Sequence, residues 1–310
     1  METSTGHVLP GLGFFLVGLW HMLNQIKLHA THPKSHFSLL WFPCPKIRYL
    51  ELYMIMLGSF AFLSKEVLMG LLTHTSLDQD GTIPFHQLRK FEHANVATAL
   101  IAHAVFSVVL DKADPPAKQG MAKLFGVVVF GQELLSFRLH STDHFGVEGQ
   151  YHFFLQLIIL VSLSTTLLGF PFPTSFINSF VRSCSVMFQG IWLVVIGIML
   201  WTAGFCPKGC FFTEEHKHHV VKCRSEEAAM RAKSLVNILF SLSVIGFTIL
   251  VVTIYLVLVK CYSQKIAYES LPTNKFEDNE KEDLVHDSES QKGFVEMGKL
   301  IVCHGTVDMK

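Results

Sequence analysis

Glutamate and histidine side chains occur inside stretches of this chain that are otherwise apolar. Glu133 and His140 lie in the apolar stretch Met121 to Ser141. On a helix that turns about 100° per residue they point within about 20° of each other. Ionisable groups in a membrane are costly and are therefore functional candidates. The candidate intramembrane polar cluster comprises Glu66, Glu92, His93, His103, Glu133, His140, His144 and His152.

Carboxylates and imidazoles in one cluster suit three kinds of role. A polar path through Glu66, Glu92 and Glu133 would serve a proton-coupled transporter. A bound divalent metal ion would activate water in an intramembrane hydrolase or oxidoreductase. Hydrogen bonds between helices would instead satisfy the same groups and hold a bundle together. We favour this last role because no H-E-x-x-H signature joins the residues. The metal alternative would use Glu133, His140, His93 and His152 as ligands.

Composition places these side chains in a membrane protein. The chain has 310 residues, is 50% hydrophobic and 16% charged, and has a mean hydropathy of +0.39. Lysine plus arginine equals aspartate plus glutamate at 25 each, so net charge gives no reason to expect nucleic acid as a partner. A bilayer-spanning helix needs roughly 20 mostly apolar residues. Seven windows meet or approach this length, which predicts an all-α polytopic membrane bundle of about seven transmembrane helices. The windows lie near residues 7–26, 50–73, 91–110, 121–141, 152–170, 184–204 and 235–260.

The distribution of basic residues predicts an orientation. Lysine and arginine follow the first and third spans, whereas the loop 142–151 has neither. The positive-inside rule then places the N-terminus outside and the C-terminus in the cytosol. Past the last span the composition becomes acidic and polar, which is typical of disorder. We therefore expect a seven-span domain over 1–262 and a disordered acidic cytosolic tail over 263–310. The lipid bilayer is the predicted partner, in the plasma membrane or an endomembrane.

A cysteine-rich loop precedes the last span. It holds Cys206, Cys210 and Cys223 together with three histidines. An external loop would allow two of the cysteines to form a disulfide, whereas a cytosolic loop would allow thiols and imidazoles to bind zinc. The predicted orientation places the loop outside and favours the disulfide.

Histidines also cluster at the end of the first span. His21 is about 21 Å along the helix from His7, so the two cannot bind one ion. We expect His21 to belong to a basic cytosolic surface that faces anionic lipid. The other members of this predicted surface are Lys27, His29, His32 and His36.

Four segments of the chain resemble the transmembrane protein 45 family. The opening GHVLPGLGFFLVGLWH, Gly6 to His21, is similar to the N-terminal signature of that family. Looser similarity continues at FEHAN around His93, at VFGQELLSFRLHSTDH from Val129 to His144, and at MFQGIWLVVIG from Met187 to Gly197. The resemblance implies a multi-span membrane protein with roles in stress and defence responses. It implies no reaction and no catalytic residues.

Sequence motifs of soluble enzymes do not occur. The chain has no P-loop, no dinucleotide-binding glycine pattern and no G-x-S-x-G elbow. We therefore expect an integral membrane protein without enzymatic activity, whose molecular activity the sequence leaves open. The metal-dependent enzyme and the proton-coupled transporter remain the alternatives.

Overall fold

A computed structural model describes residues 2–33, 36–72, 82, 85–140, 146–215 and 218–269. The described residues form seven long helices and one β-hairpin, so the prediction of an all-α membrane bundle is confirmed. The last helix continues past the predicted boundary at residue 262. The helices are α1 (Glu2–Thr31), α2 (Leu50–Leu72), α3 (Phe85–Ala113), α4 (Lys118–His140), α5 (Val147–Leu168), α6 (Phe176–Met199) and α7 (Glu226–Glu269), and the hairpin strands are β1 (Cys210–Glu215) and β2 (His218–Cys223).

Within the residues that the structure describes, six helices are long and apolar enough to cross a membrane. The chain is therefore a multi-pass membrane protein. Helix α2 carries Glu51, Lys65 and Glu66 within its length. The six candidate spans are Gly6–Thr31, Ala94–Ala113, Lys118–Leu139, Val147–Leu168, Phe176–Met199 and Glu226–Tyr262.

The first six helices pack around one another, and α7 lies against them from outside. Neighbours in this arrangement are α2 and α3, α3 and α4, α4 and α5, α5 and α6, and α6 and α1, while α7 contacts α1 and α5. Successive helices run in opposite directions, so the bundle has two ends. We call them the hairpin end, which carries β1 and β2, and the loop end, which carries the segments 36–49, 114–117 and 169–175.

Helix α6 lies at the centre of the bundle and α7 at its edge. Within the spanning segments, 72% of α6 is buried but only 6% of α7. The outer face of α7 is apolar, as a helix that faces lipid requires. Side chains on α6 are consequently the ones best placed to contact several helices at once.

Glycines bring α1 and α6 into backbone contact. A Cβ atom added to Gly190 would lie 2.2 Å from the backbone nitrogen of Phe15, and one added to Gly18 would lie 2.3 Å from that of Met187. Lipid supplies little hydrophobic drive between helices, so close packing of small residues is a main source of their attraction. Helices α1 and α6 can therefore approach this closely only because glycines lie at their contact.

Candidate functional site

The carboxylate of Glu51 is the centre of a buried hydrogen-bond network at the loop end. Glu51 lies in the first turn of α2 and is 7% exposed. Its Oε1 accepts a bond of 2.6 Å from His21 Nε2. Its Oε2 accepts bonds of 3.0 Å from Trp20 Nε1 and 2.8 Å from the backbone N–H of Phe42. Two side chains of α1 and the loop 36–49 thus converge on one carboxylate.

Arg182 of α6 brings a buried positive charge to the same region. Its guanidinium donates to Ser38 Oγ at 3.3 Å and to the backbone oxygen of Leu39. It interacts favourably with Glu51 through charge. Arg182 therefore ties α6 to the loop that also supplies a donor to Glu51. We call Trp20, His21, Phe42, Glu51 and Arg182 the Glu51 network.

His103 of α3 lies beside the Glu51 network. It interacts electrostatically with Glu51, His21 and Arg182. Its Nδ1 is buried and has no hydrogen-bond partner among the described residues. The structure thus associates His103 with Glu51.

The prediction that His21 belongs to a basic lipid-facing surface is wrong. His21 and His36 are both buried, and His29 stacks on Phe176 with ring centroids 4.0 Å apart. His36 Nε2 donates to Gln25 Oε1 at 2.8 Å, and burial lowers the pKa of His36 below its ordinary value. The helix repeat gave the correct spacing of these residues. It could not show that the loop 36–49 folds back over them.

Glu133 of α4 forms a second, much smaller polar contact. It is 1% exposed and accepts a bond of 2.5 Å from Gln189 Nε2 of α6. Its Oε2 and the Oε1 of Gln189 are buried without a partner among the described residues. Glu133 forms no ion pair in the described part of the chain. We call this contact the Glu133–Gln189 pair.

His152 of α5 lies at the hairpin end of the bundle. Its ring is fully buried, and Nδ1 lies 3.0 Å from the backbone oxygen of Glu148. The ring of His7 lies 5.7 Å from that of His152 and 4.8 Å from that of Trp201, measured between centroids. His152 therefore packs in a group of aromatic rings.

The remaining members of the predicted cluster are spread over α2, α3 and the end of α4. Glu66 Oε1 lies 3.8 Å from Nζ of its neighbour Lys65, and both side chains have further interactions. Glu92 is half-buried on α3 and also has an interaction partner. His93 and His140 lie on α3 and α4, but their side chains are outside the description, and His144 lies outside the described residues.

No three histidine, cysteine or acidic side chains gather closely enough to hold a metal ion among the described residues. Of the four predicted ligands, only Glu133 and His152 have described side chains. The polar contact of Glu133 is with Gln189, and His152 Nδ1 faces its own helix. A metal site that includes His93 and His140 stays a prediction.

The cysteine loop forms the β-hairpin. Cys210 and Cys223 face each other across β1 and β2 and are joined by a disulfide. Cys206 has a free thiol, and burial raises the pKa of this thiol above its ordinary value. The hairpin packs against α5 and α7, so the disulfide lies at the hairpin end of the bundle.

Arg182 is the functional candidate that sequence reasoning missed. The predicted span began at residue 184, whereas α6 begins at Phe176. The available signal was Ser175 after Pro173: the Ser175 hydroxyl caps the helix by accepting from the backbone N–H of Asn178 at 3.2 Å. A helix that starts there carries Arg182 in its second turn.

One family model matches part of the chain. It is described as a family of unknown function (DUF716), and it matches residues 119–256, less than half of the chain. The matched region runs from α4 into α7 and includes Glu133, His152 and the hairpin. It excludes Glu51 and the loop 36–49. A search of curated proteins found no match.

Proposed function

We propose that this multi-pass membrane protein acts without catalysis, in stress or defence signalling or in trafficking, and that its buried polar residues specify how the helices pack. The signalling role follows from the resemblance to the transmembrane protein 45 family. The partial match to a family of unknown function is compatible with that resemblance. Neither comparison offers a reaction.

The observation that carries this proposal is the number of protein donors around Glu51. Three donors from two parts of the chain bond to its two oxygens, and the buried guanidinium of Arg182 interacts favourably with its charge. A catalytic carboxylate needs a lone pair or proton directed at a substrate. A carboxylate that is already surrounded by protein donors instead fixes the relative positions of the elements that supply them.

The same proposal includes an orientation, with the hairpin end outside and the C-terminal tail over 263–310 in the cytosol. The disulfide at the hairpin end supports it, because disulfides persist in oxidising compartments such as the ER lumen and the cell exterior. The basic residues that follow α1 and α3 support the same direction.

Metal analysis of the purified full chain tests the proposal against the metal-enzyme alternative. We expect wild-type protein and a Glu133→Gln variant to carry the same negligible amount of zinc, iron and manganese after dialysis against buffer containing trace metals. About one equivalent of metal in the wild type, lost in the variant, would overturn the proposal. A His32→Gln variant is the control, since His32 is an exposed histidine outside the predicted ligand set.

Proton-coupled transport is the second candidate, and the Glu133–Gln189 pair favours it. A buried carboxyl such as Glu133, with one oxygen that has no partner among the described residues, is the kind of group that exchanges a proton during transport. Proteoliposomes with a pH-sensitive dye inside measure this directly. Acidification that depends on the wild-type protein and disappears in Glu133→Gln would support transport. Equal dye signals from wild type, variant and empty liposomes would rule out proton-coupled transport.

A further inference from the structure

A cavity of about 70 Å³ opens at the loop end between α3, α4 and the loop 36–49. Its polar wall contains Ser38, Arg48, Ser107, Lys118 and Lys123. These residues come from three parts of the chain and include three cations, whereas Asp111 is the one carboxylate in the lining. Electrostatics therefore favours an anion in this cavity.

The single carboxylate is already engaged by its neighbours. Asp111 accepts bonds of 2.9 and 3.2 Å from Arg48 and one of 2.9 Å from the Tyr49 hydroxyl. The bond with Asp111 raises the pKa of Arg48 above its ordinary value. Lys118 pairs with Asp114 at 2.5 Å. Neither aspartate is left to neutralise Lys123.

Lys123 is buried without an acidic partner among the described residues. Lys123 is 5% exposed, and its Nζ donates to the backbone oxygen of Gly169 at 2.7 Å. The ammonium group also lies 4.9 Å from the centroid of the Phe37 ring, and since it has three donors it can still donate to a further acceptor. Arg182 lies near enough to repel Lys123 through charge, and Glu51 is the carboxylate that compensates Arg182. Buried cations therefore exceed buried anions at the loop end.

Ser107 provides a separate sign of a missing partner. It is 2% exposed, it lines the cavity, and its hydroxyl has no hydrogen-bond partner among the described residues. A buried hydroxyl without a partner costs free energy. An anion in the cavity would accept from both this hydroxyl and the Lys123 ammonium group.

We propose that the cavity binds a phosphate group, with Lys123 and Ser107 as its principal donors. The apolar part of the wall includes Leu39, Leu40 and Leu110. Basic side chains beside this apolar wall, at the level where α3 ends and α4 begins, suit the headgroup of an anionic phospholipid. In the proposed orientation this end faces the cytosolic leaflet, where anionic lipids are concentrated. Free phosphate would accept the same hydrogen bonds, but it has no acyl chains to contact the apolar wall.

Binding to the purified full chain in neutral detergent tests the proposal. The probes are phosphatidic acid, diacylglycerol with the same acyl chains, and inorganic phosphate; native mass spectrometry counts bound lipid, and thermal unfolding reports stabilisation. We expect phosphatidic acid to bind and diacylglycerol not to bind. Stabilisation by inorganic phosphate alone would assign the site to a free anion rather than to a lipid.

Variants locate the site. Lys123→Gln keeps a donor for Gly169 but removes the charge, and we expect it to weaken phosphatidic acid binding by about tenfold or more. Ser107→Ala is the milder variant for the case in which Lys123→Gln fails to fold, and we expect a loss of about threefold, in line with one neutral hydrogen bond. Lys112→Gln is the matched control, since Lys112 is exposed at the same end but does not line the cavity. Wild-type affinity in both cavity variants, or equal binding of diacylglycerol, would overturn the proposal.

Discussion

Glu51 and Glu133 are two buried glutamates with opposite surroundings. Glu51 receives donors from α1 and from the loop 36–49 and lies near the Arg182 guanidinium. Glu133 receives one donor, from Gln189, and its second oxygen has no partner among the described residues. Burial is similar in the two cases, but the number of partners is not.

The difference shows that burial alone does not reveal what a membrane carboxylate does. A carboxylate that has several donors contributes to a defined arrangement of helices, because its loss leaves buried donors on several elements without an acceptor. A carboxyl with a single donor constrains only one contact. Glu51 is accordingly the stronger candidate for a structural role. Glu133 keeps one oxygen without a partner among the described residues, as a group that exchanges a proton requires.

Replacing Glu51 should have the largest effect. Glu51→Gln leaves the size of the side chain unchanged, but turns one acceptor into a donor that faces other donors, and leaves Arg182 without its compensating charge. We expect a loss of about 3 kcal/mol in the free energy of unfolding, the upper end of the range for leaving a buried donor without its acceptor. Thermal unfolding in detergent, followed by tryptophan fluorescence, measures it.

Glu227→Gln serves as the control for that comparison. Glu227 is an exposed acidic residue in the first turn of α7. Its replacement should change stability by no more than about 0.5 kcal/mol. If both variants unfold at the wild-type temperature, Glu51 does not hold the bundle together.

The seam between α1 and α6 should matter almost as much, because it brings Trp20 and His21 of α1 near Arg182 of α6. In Gly190→Ala the new Cβ would overlap the Phe15 backbone, so the helices must separate. We expect a loss of about 2 kcal/mol, as for other overpacked sites. Gly13→Ala is the control on α1, where a Cβ meets nothing within 4 Å. Equal stability of the two variants would contradict a required close approach.

Glu133→Gln should have the smallest effect on stability. The variant removes a buried carboxyl that has one donor and no ion pair, and Gln keeps an oxygen able to accept from Gln189. We expect a change of less than about 1 kcal/mol in either direction. The same thermal unfolding measurement applies. A loss as large as that of Glu51→Gln would mean that the two glutamates are structurally equivalent and would end the distinction between them.

Several features of the fold followed directly from the sequence. Long apolar windows predicted the helices, and the windows 50–73 and 121–141 lie within a few residues of α2 and α4 at both ends. The start of α6 was predicted too late because only apolar residues were counted, whereas the helix begins in the more polar stretch after Ser175. The three cysteines predicted a disulfide without indicating which pair forms it, and strand pairing selects Cys210 and Cys223.

The candidate site was harder to predict from the sequence. The helix repeat placed Glu133 and His140 on one face, but it could not identify Gln189, which lies 56 positions further along the chain, as the partner of Glu133. Similarly, His21 and Glu51 are 30 positions apart and meet because α1 and α2 are joined by a loop that folds back.

The sequence by itself determined that this protein lives in a membrane and is helical, because length and apolar composition control whether a segment can leave water and satisfy its own backbone. Only the tertiary structure decided which buried groups meet. That outcome depends on the rotation, depth and separation of packed helices, and glycines such as Gly190 set the separation at the α1–α6 seam. The structure thereby placed the best-satisfied charge at Glu51 and left Glu133 with a single partner.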